Sequence, residues 1–498
     1  MEEKYIAAVD LGTGKTALTV AKVTGEDIAI VYYRHLPSDG IRNSAVFNPK
    51  KAEEPLRQLI REAEDELKIK IMQVVVGLPR CDVHQEVAEA KVSRTNPDES
   101  ITREEVENLK TIAQDEYPLD DADKQVLYGA VAQSFSADED FQLLENDIIG
   151  VISSTFEGNF KLFIGKKSSV RYIDKTFNDL GIAIARKYFT PDVQARAILT
   201  EDEMNGGVAL VDLGAGATSV TIYQGKILRH YAAIPFGGET VTTDITTECG
   251  ISRRLAENIK YAYGACMPEK LQTLGEKTLQ IEGSELESVQ QIPVKYLSEI
   301  ITARIKEIMD AVLYEIQCSG LAASLRNGMV ITGGGARLAN ISAYVKEISG
   351  YSVRIGRPRN KVSAAGCPGI FEPASSTSVG LILSAKEDGL SGCIDPVETP
   401  STPGLSVILP EDGTDAAAVA ETMPQETGET VPDTGTALPE DAEEGTGSML
   451  FGEEEVPEDS EKKKKKPKQP KEPKKPGRIG ITWRKFIKMV DNVTSEMS

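Results

Sequence analysis

The chain has 498 residues and a formal net charge of −21. That length accommodates two or more domains with sizeable cores, and the acidic balance argues against a general nucleic-acid binder. The six cysteines are scattered with no Cys-x-x-Cys pair and the three histidines lie far apart, so neither a structural zinc nor a His-based metal site is expected.

The acidic start, Met1 to Lys4, runs directly into a strand and reads as lacking a secretory signal. That strand opens the most informative pattern in the chain. Ala7-Ala8-Val9-Asp10-Leu11-Gly12-Thr13-Gly14-Lys15-Thr16 recurs as Ala209-Leu210-Val211-Asp212-Leu213-Gly214-Ala215-Gly216-Ala217-Thr218. Each copy is followed by strand-like residues, Ala17 to Val23 and Ser219 to Tyr223, so each predicts a strand, a tight turn and a returning strand. Glycine in the turn lets backbone N–H groups approach an anion closely, and the aspartate stands where it could hold a cation. A Walker P-loop is excluded, because its first glycine would fall at Val9 and its lysine would open a helix. A dinucleotide fingerprint fails too, since its third glycine would fall at Ala17 or Ser219.

Between the copies, Leu56, Leu59, Ile60, Ala63 and Leu67 recur at helical spacing within Glu53 to Leu67, and Ile71 to Val76 reads as a buried strand. After the second copy, Ser298 to Leu313 carries a helical apolar face, and Met329-Val330-Ile331 is a strand. It leads into Thr332-Gly333-Gly334-Gly335-Ala336-Arg337-Leu338, where bare backbone allows a base or ribose to pack and a helix is expected from near Leu338.

Composition changes near Pro396. From Pro396 to Glu461 there are eighteen carboxylates and no Lys or Arg, a composition that cannot bury enough apolar surface to fold and predicts a disordered linker. Lys462 to Lys475 is Lys/Pro-rich, and without interleaved aromatics it does not suggest nucleic-acid binding. From Pro396 to Arg478 a random coil would span roughly 50 Å. On a helical projection of the last twenty residues, Ile479, Trp483, Phe486, Ile487, Val490 and Val493 share one arc, with Arg478, Arg484, Lys485 and Lys488 off it. That pattern predicts an interfacial membrane helix of about 22 Å, too short to span a bilayer. A helix docking back on the globular part, or an unstructured end, is the alternative. Apolar burial contributes about 1.5–3 kcal/mol per large side chain at most, and each basic residue about 1 kcal/mol against anionic lipid. One copy should therefore bind weakly and several copies well.

The two phosphate-type turns and the triple glycine, in this order, resemble the actin/Hsp70/sugar-kinase superfamily, an α/β fold whose two similar halves close over ATP and a divalent cation. Finer features resemble the FtsA family of bacterial cell-division proteins. They are Asp10 to Lys15, the segment Ile234-Pro235-Phe236-Gly237-Gly238-Glu239-Thr240, the Ala-Glu-x-x-Lys-x-x-x-Gly helix of Ala256 to Gly264, and the tail. The resemblance implies phosphate contacts from Gly12, Thr13, Gly14, Lys15, Gly214, Ala215, Gly216, Ala217 and Thr218. It implies adenosine contacts from Glu257, Lys260, Gly333, Gly334, Gly335 and Arg337, and Mg2+ held through water by Asp10 and Asp212. Relatives that hydrolyse ATP carry Gln or Glu where Thr190 aligns; Asp192 or Gln194 could orient water instead, and hydrolysis is expected to be slow.

The same resemblance implies actin-like halves at 1–81 with 165–205 and at 206–239 with 318–395. It implies an inserted subdomain at 82–164, containing a helix over Asp98 to Ile112 capped by Thr102, and an upper subdomain at 240–317. The linker at 396–478 and the helix at 479–498 complete the chain. The implied role is a peripheral protein on the cytoplasmic face of the membrane at the septum. It would form filaments and anchor FtsZ through that protein's C-terminal peptide, beside anionic lipid and other division proteins, with no specific nucleic acid. The competing readings are a small-molecule kinase or pilus-assembly relative of the same superfamily.

Overall fold

The computed structural model describes residues 4–393 except 139, 282–289, 359–361 and 391. The linker and the amphipathic segment, with Ile479, Trp483, Arg484, Lys485, Phe486, Ile487, Lys488 and Val490, lie outside the described residues.

The repeated sequence produces a repeated sheet. In the first, the strand order is Asp27–Pro37, Lys15–Thr24, Lys4–Leu11, Gln73–Gly77, Ala183–Tyr188; in the second it is Ile227–Ile234, Thr218–Gln224, Val208–Leu213, Met329–Thr332, Val353–Ile355. Each is an antiparallel three-stranded meander extended by two parallel strands. The first hairpin pairs Asp10 with Ala17 and the second pairs Asp212 with Ser219, so the two aspartates hold equivalent positions.

Side chains alternate across these sheets, so one strand feeds two cores. Ala7, Val9 and Leu11 meet the helices Pro49–Leu67 and Lys167–Leu180, whereas Ile6 and Ala8 face a central layer. In the second half, Ala209, Val211 and Leu213 pack with the helices Gly238–Cys249, Arg253–Tyr263, Val294–Cys318 and Ile341–Ser349. Val208 and Leu210 face the same central layer as Ile6 and Ala8. That layer contains the helices Thr190–Ile198 and Ser376–Glu387. The second of these is buried from Ser376 through Ala385, so its small and apolar residues show no polar face.

A further sheet stands between Gly77 and Lys167 in the chain, in the order His84–Ser93, Thr155–Lys166, Gln125–Ala137, Asp140–Leu143. The helix Arg103–Asp115 packs on it through Val106, Leu109 and Ala113. This helix begins later than Asp98. Thr102 Oγ1 accepts from the Glu105 N–H at 3.2 Å and Glu105 Oε2 accepts from the Thr102 N–H at 2.8 Å, a reciprocal cap that sets the start. The sheet also touches the second half, where Gln85 Oε1 accepts from the Tyr231 N–H at 3.0 Å and Gln133 Nε2 donates to the Leu228 carbonyl at 3.0 Å.

One expectation is corrected. No helix begins at Leu338: Gly334–Arg337 is a single 3-10 turn and the helix is Ile341–Ser349. The reason is tertiary. The Ala339 N–H donates to the Gly264 carbonyl at 3.0 Å and the Cys266 N–H donates to the Ala339 carbonyl at 2.8 Å, which holds residues 338–339 extended. The helix dipole expected at the triple glycine is therefore not delivered there.

Candidate functional site

Both Asp-Leu-Gly-x-Gly turns close in the same way. The Gly12 N–H donates to the Lys15 carbonyl at 3.1 Å and the Gly214 N–H donates to the Ala217 carbonyl at 3.0 Å. A Cβ on either glycine would stand 2.8 Å or 2.7 Å from that same carbonyl oxygen, so the turn requires glycine. The turns face each other across the two halves. A Cβ on Gly14 would lie 2.9 Å from Ala215 Cβ, and one on Gly216 would lie 2.7 Å from Thr13 Oγ1. Thr13 Oγ1 itself accepts from the Ser44 N–H at 2.8 Å.

Several expected ligand contacts are used internally. Lys15 Nζ donates to the Tyr33 hydroxyl at 2.9 Å and lies 5.6 Å from the ring centroid. Thr218 is fully buried and donates to the Phe236 carbonyl at 2.8 Å, so its hydroxyl is structural. The carbonyls of Gly214 and Ala215 accept from the Gly238 and Glu239 N–H groups at 2.9 and 2.8 Å, capping the helix Gly238–Cys249. Lys260 Nζ reaches Glu257 Oε2 at 2.7 Å, Thr242 Oγ1 at 2.7 Å and the Gly238 carbonyl at 2.9 Å. It therefore ties two helices together, while Glu257 remains exposed.

At the triple glycine, Gly333 sits at φ +82°, and a side chain there would collide with Asp212 Oδ1 and the Leu213 carbonyl. Gly335 packs on Leu213, whereas Gly334 faces open space. Arg337 stacks on exposed Tyr261 at 4.6 Å to the ring centroid and pairs with Glu372 Oε2 at 2.8 Å. Sequence reasoning missed Tyr261 and Glu372.

Gln194 and Asp192 part company. Gln194 is buried and donates to Asp212 Oδ2 at 2.8 Å and to Ser376 Oγ at 3.0 Å. Asp192, about 200° around the same helix, accepts from the Tyr223 hydroxyl at 2.8 Å and from Arg196 Nη2 at 2.9 Å. Asp192 is thus corrected as a water-positioning candidate, its carboxylate being spent on those two partners. Thr190 Oγ1 donates to the Leu78 carbonyl at 2.5 Å and is likewise turned inward.

The residue most clearly missed is Arg80. Its guanidinium forms an ion pair with Asp212 Oδ2, and Nη2 contacts Thr377 Oγ1 at 3.4 Å. A signal for it existed. Gln73–Gly77 lies parallel to Lys4–Leu11, so the loop leaving it emerges at the same sheet end as Asp10, where α/β sheets bind ligands.

Asp10 is buried, 7% exposed. Burial pushes its carboxyl above the ordinary range, opposed by the nearby charges of Arg80 and Lys15. Oδ2 of Asp212 already serves Arg80 and Gln194, and Oδ1 is hemmed by Gly333. Asp212 therefore has no free oxygen to offer a divalent cation or the water that was expected to carry one.

The family model for "Cell division protein FtsA" matches residues 209–380. The chain is 28% identical over 393 residues to the FtsA of Neisseria meningitidis serogroup B, covering 77% of this chain and 91% of that protein. It is 27% identical over 380 residues to the FtsA of Streptococcus pneumoniae serotype 2, covering 76% and 79%. Among solved structures, a chain of the PilM-PilN type IV pilus biogenesis complex shares the fold, with a TM-score of 0.53 at 14% identity over 76% of this chain and 98% of that one. With its duplicated sheets and paired glycine turns, the chain has the actin-like α/β fold, and its sequence is similar to the FtsA family of cell-division proteins.

Proposed function

We propose that this chain is an ATP-binding, actin-like division scaffold that polymerises at the cytoplasmic face of the membrane, at the septum, and anchors FtsZ there. The observation that carries this reading is the facing pair of matching glycine turns, one from each half of a chain similar to the FtsA family. In this reading the backbone N–H groups of Thr13–Lys15 and Ala215–Thr218 cradle the phosphates. The adenosine lies on the open side of Gly334, near Arg337 and Tyr261, with Glu257 within reach of the ribose. The sheet of 82–164 is the inserted subdomain, and 240–317 is the upper subdomain that receives the FtsZ C-terminal peptide. Gln194 and Thr190, both held by protein partners, support slow hydrolysis.

Membrane attachment is assigned to the segment 479–498 on its sequence pattern. Among the described residues no helix is long and apolar enough to cross a membrane. The test is co-sedimentation of the full chain with anionic vesicles, ATP and FtsZ, alongside a chain ending at Arg478. The full chain should carry FtsZ to the vesicles, and the truncated chain should bind ATP but stay in solution. Vesicle binding that survives truncation overturns the anchor, and FtsZ left in the supernatant overturns the tether.

A further inference from the structure

We propose that Arg80 is the resident cation of the nucleotide cleft, a guanidinium standing where relatives would use a divalent metal, so that this chain binds ATP without one. The inference rests on the nucleotide-binding reading above and adds the chemistry that neutralises the triphosphate.

Three observations converge on Arg80. First, the residue is placed rigidly. The Leu78 N–H donates to the Tyr188 carbonyl at 2.7 Å, the Leu78 carbonyl accepts from Thr190, and the Arg80 carbonyl accepts from the buried Tyr231 hydroxyl at 2.6 Å. Second, the side chain is largely covered and crosses from the first half to the second. It is 12% exposed, and the Asp212 side chain it pairs with is 3% exposed. A divalent ion held by Asp212 would have to displace this guanidinium and leave it buried without its partner, an uncompensated charge. Third, the charges already balance. Asp10 and Asp212 supply two carboxylates, and Arg80 and Lys15, both close enough to act on Asp10, supply two cations.

The chemistry suits the task. A guanidinium has five N–H donors in a planar fork, is ionised at any working pH and bonds phosphate oxygens in pairs. Contacts to Asp212 and Thr377 leave further donors for a phosphate brought between the two glycine turns. Because Arg80 belongs to the first half and Asp212 to the second, a phosphate bound there would also strengthen the link between the halves.

The test is calorimetric titration of ATP into the full chain, once with excess Mg2+ and once with excess EDTA, for the unaltered protein, Arg80→Lys and Arg80→Ala. Removing the metal should change the affinity of the unaltered protein and of Arg80→Lys by less than about threefold. Arg80→Ala should lose at least about tenfold in EDTA and recover with Mg2+, once Asp212 is free to hold it. A tenfold loss on chelation by the unaltered protein, which needs no variant to fold, overturns the proposal. So does metal-independent binding that persists unchanged in Arg80→Ala. No ATP binding by the unaltered protein in either buffer overturns the nucleotide reading itself, and this inference with it.

Discussion

Gln194 donates its side-chain amide to Asp212 Oδ2 at 2.8 Å, joining the central helix Thr190–Ile198 to the second glycine turn. Both residues are almost fully buried. Gln194→Leu removes a donor from a buried carboxylate without changing the packing volume greatly. The expected cost is about 1–3 kcal/mol, because a buried acceptor is left short of a partner. A urea unfolding midpoint equal to that of the unaltered protein would show that Arg80 alone satisfies Asp212.

Asp10 is expected to oppose folding at neutral pH. Its carboxyl is raised by burial above the ordinary value of 3.8, so between that value and the higher folded one the folded state holds a proton that the unfolded state has released, and above both the buried carboxylate is ionised at a cost to stability. Stability from this group is present below about pH 3.8 and falls as pH rises toward the folded value. Asp10→Asn should therefore raise the melting temperature at pH 7, with a gain that shrinks on acidification, while weakening ATP binding. A variant less stable than the parent at pH 7 contradicts this account.

Glu105 has the opposite sign. Its hydrogen bond from Arg94, then those from Thr102, hold the carboxyl below its ordinary value of 4.5. Its stabilising contribution is present above about pH 4.5 and is lost as pH falls through the lower, folded value. Thr102→Ala breaks the reciprocal cap and should cost about 0.5–2 kcal/mol. Hydrogen exchange should report the loss in the helix Arg103–Asp115 and its sheet. Faster exchange throughout the molecule would mean that this sheet does not open as a separate unit.

Gly380 lies where the two central helices cross, and a methyl there would collide with the Val193 carbonyl. Alanine is favoured over glycine within a helix by about 1 kcal/mol, yet Gly380→Ala should still lose about 1–3 kcal/mol net, because backbone must move. Gly334→Ala is the contrast. With open space around it, its stability should stay within about 0.5 kcal/mol of the parent, while ATP affinity drops as the methyl covers the face proposed for adenosine. Equal melting temperatures for the two variants would refute the close crossing.

Features with local causes were legible in the sequence. Each glycine turn closes on a residue three positions away, so Asp-Leu-Gly-x-Gly marks it without knowledge of the fold. Helical periodicity located Pro49–Leu67 and Val294–Cys318, although their ends ran past the apolar stripe. Asn48, which caps the first by accepting from the Lys51 N–H at 3.2 Å, has a polar side chain that the stripe does not record.

Other features belong to the tertiary structure alone. The late start of Ile341–Ser349 is decided by pairing with residues 264–266, and the burial of Thr218 by the segment above it. Asp192 and Gln194 are two positions apart, and only the packing of their helix decides which one meets Asp212. Arg80 meets Asp212 because one loop leaves a parallel strand at the end of the sheet where the other half closes. Sequence alone determined that two matched turns exist and that each carries an aspartate. Which cation faces those aspartates depends on charges brought together from distant parts of the chain, and folding alone brings them together.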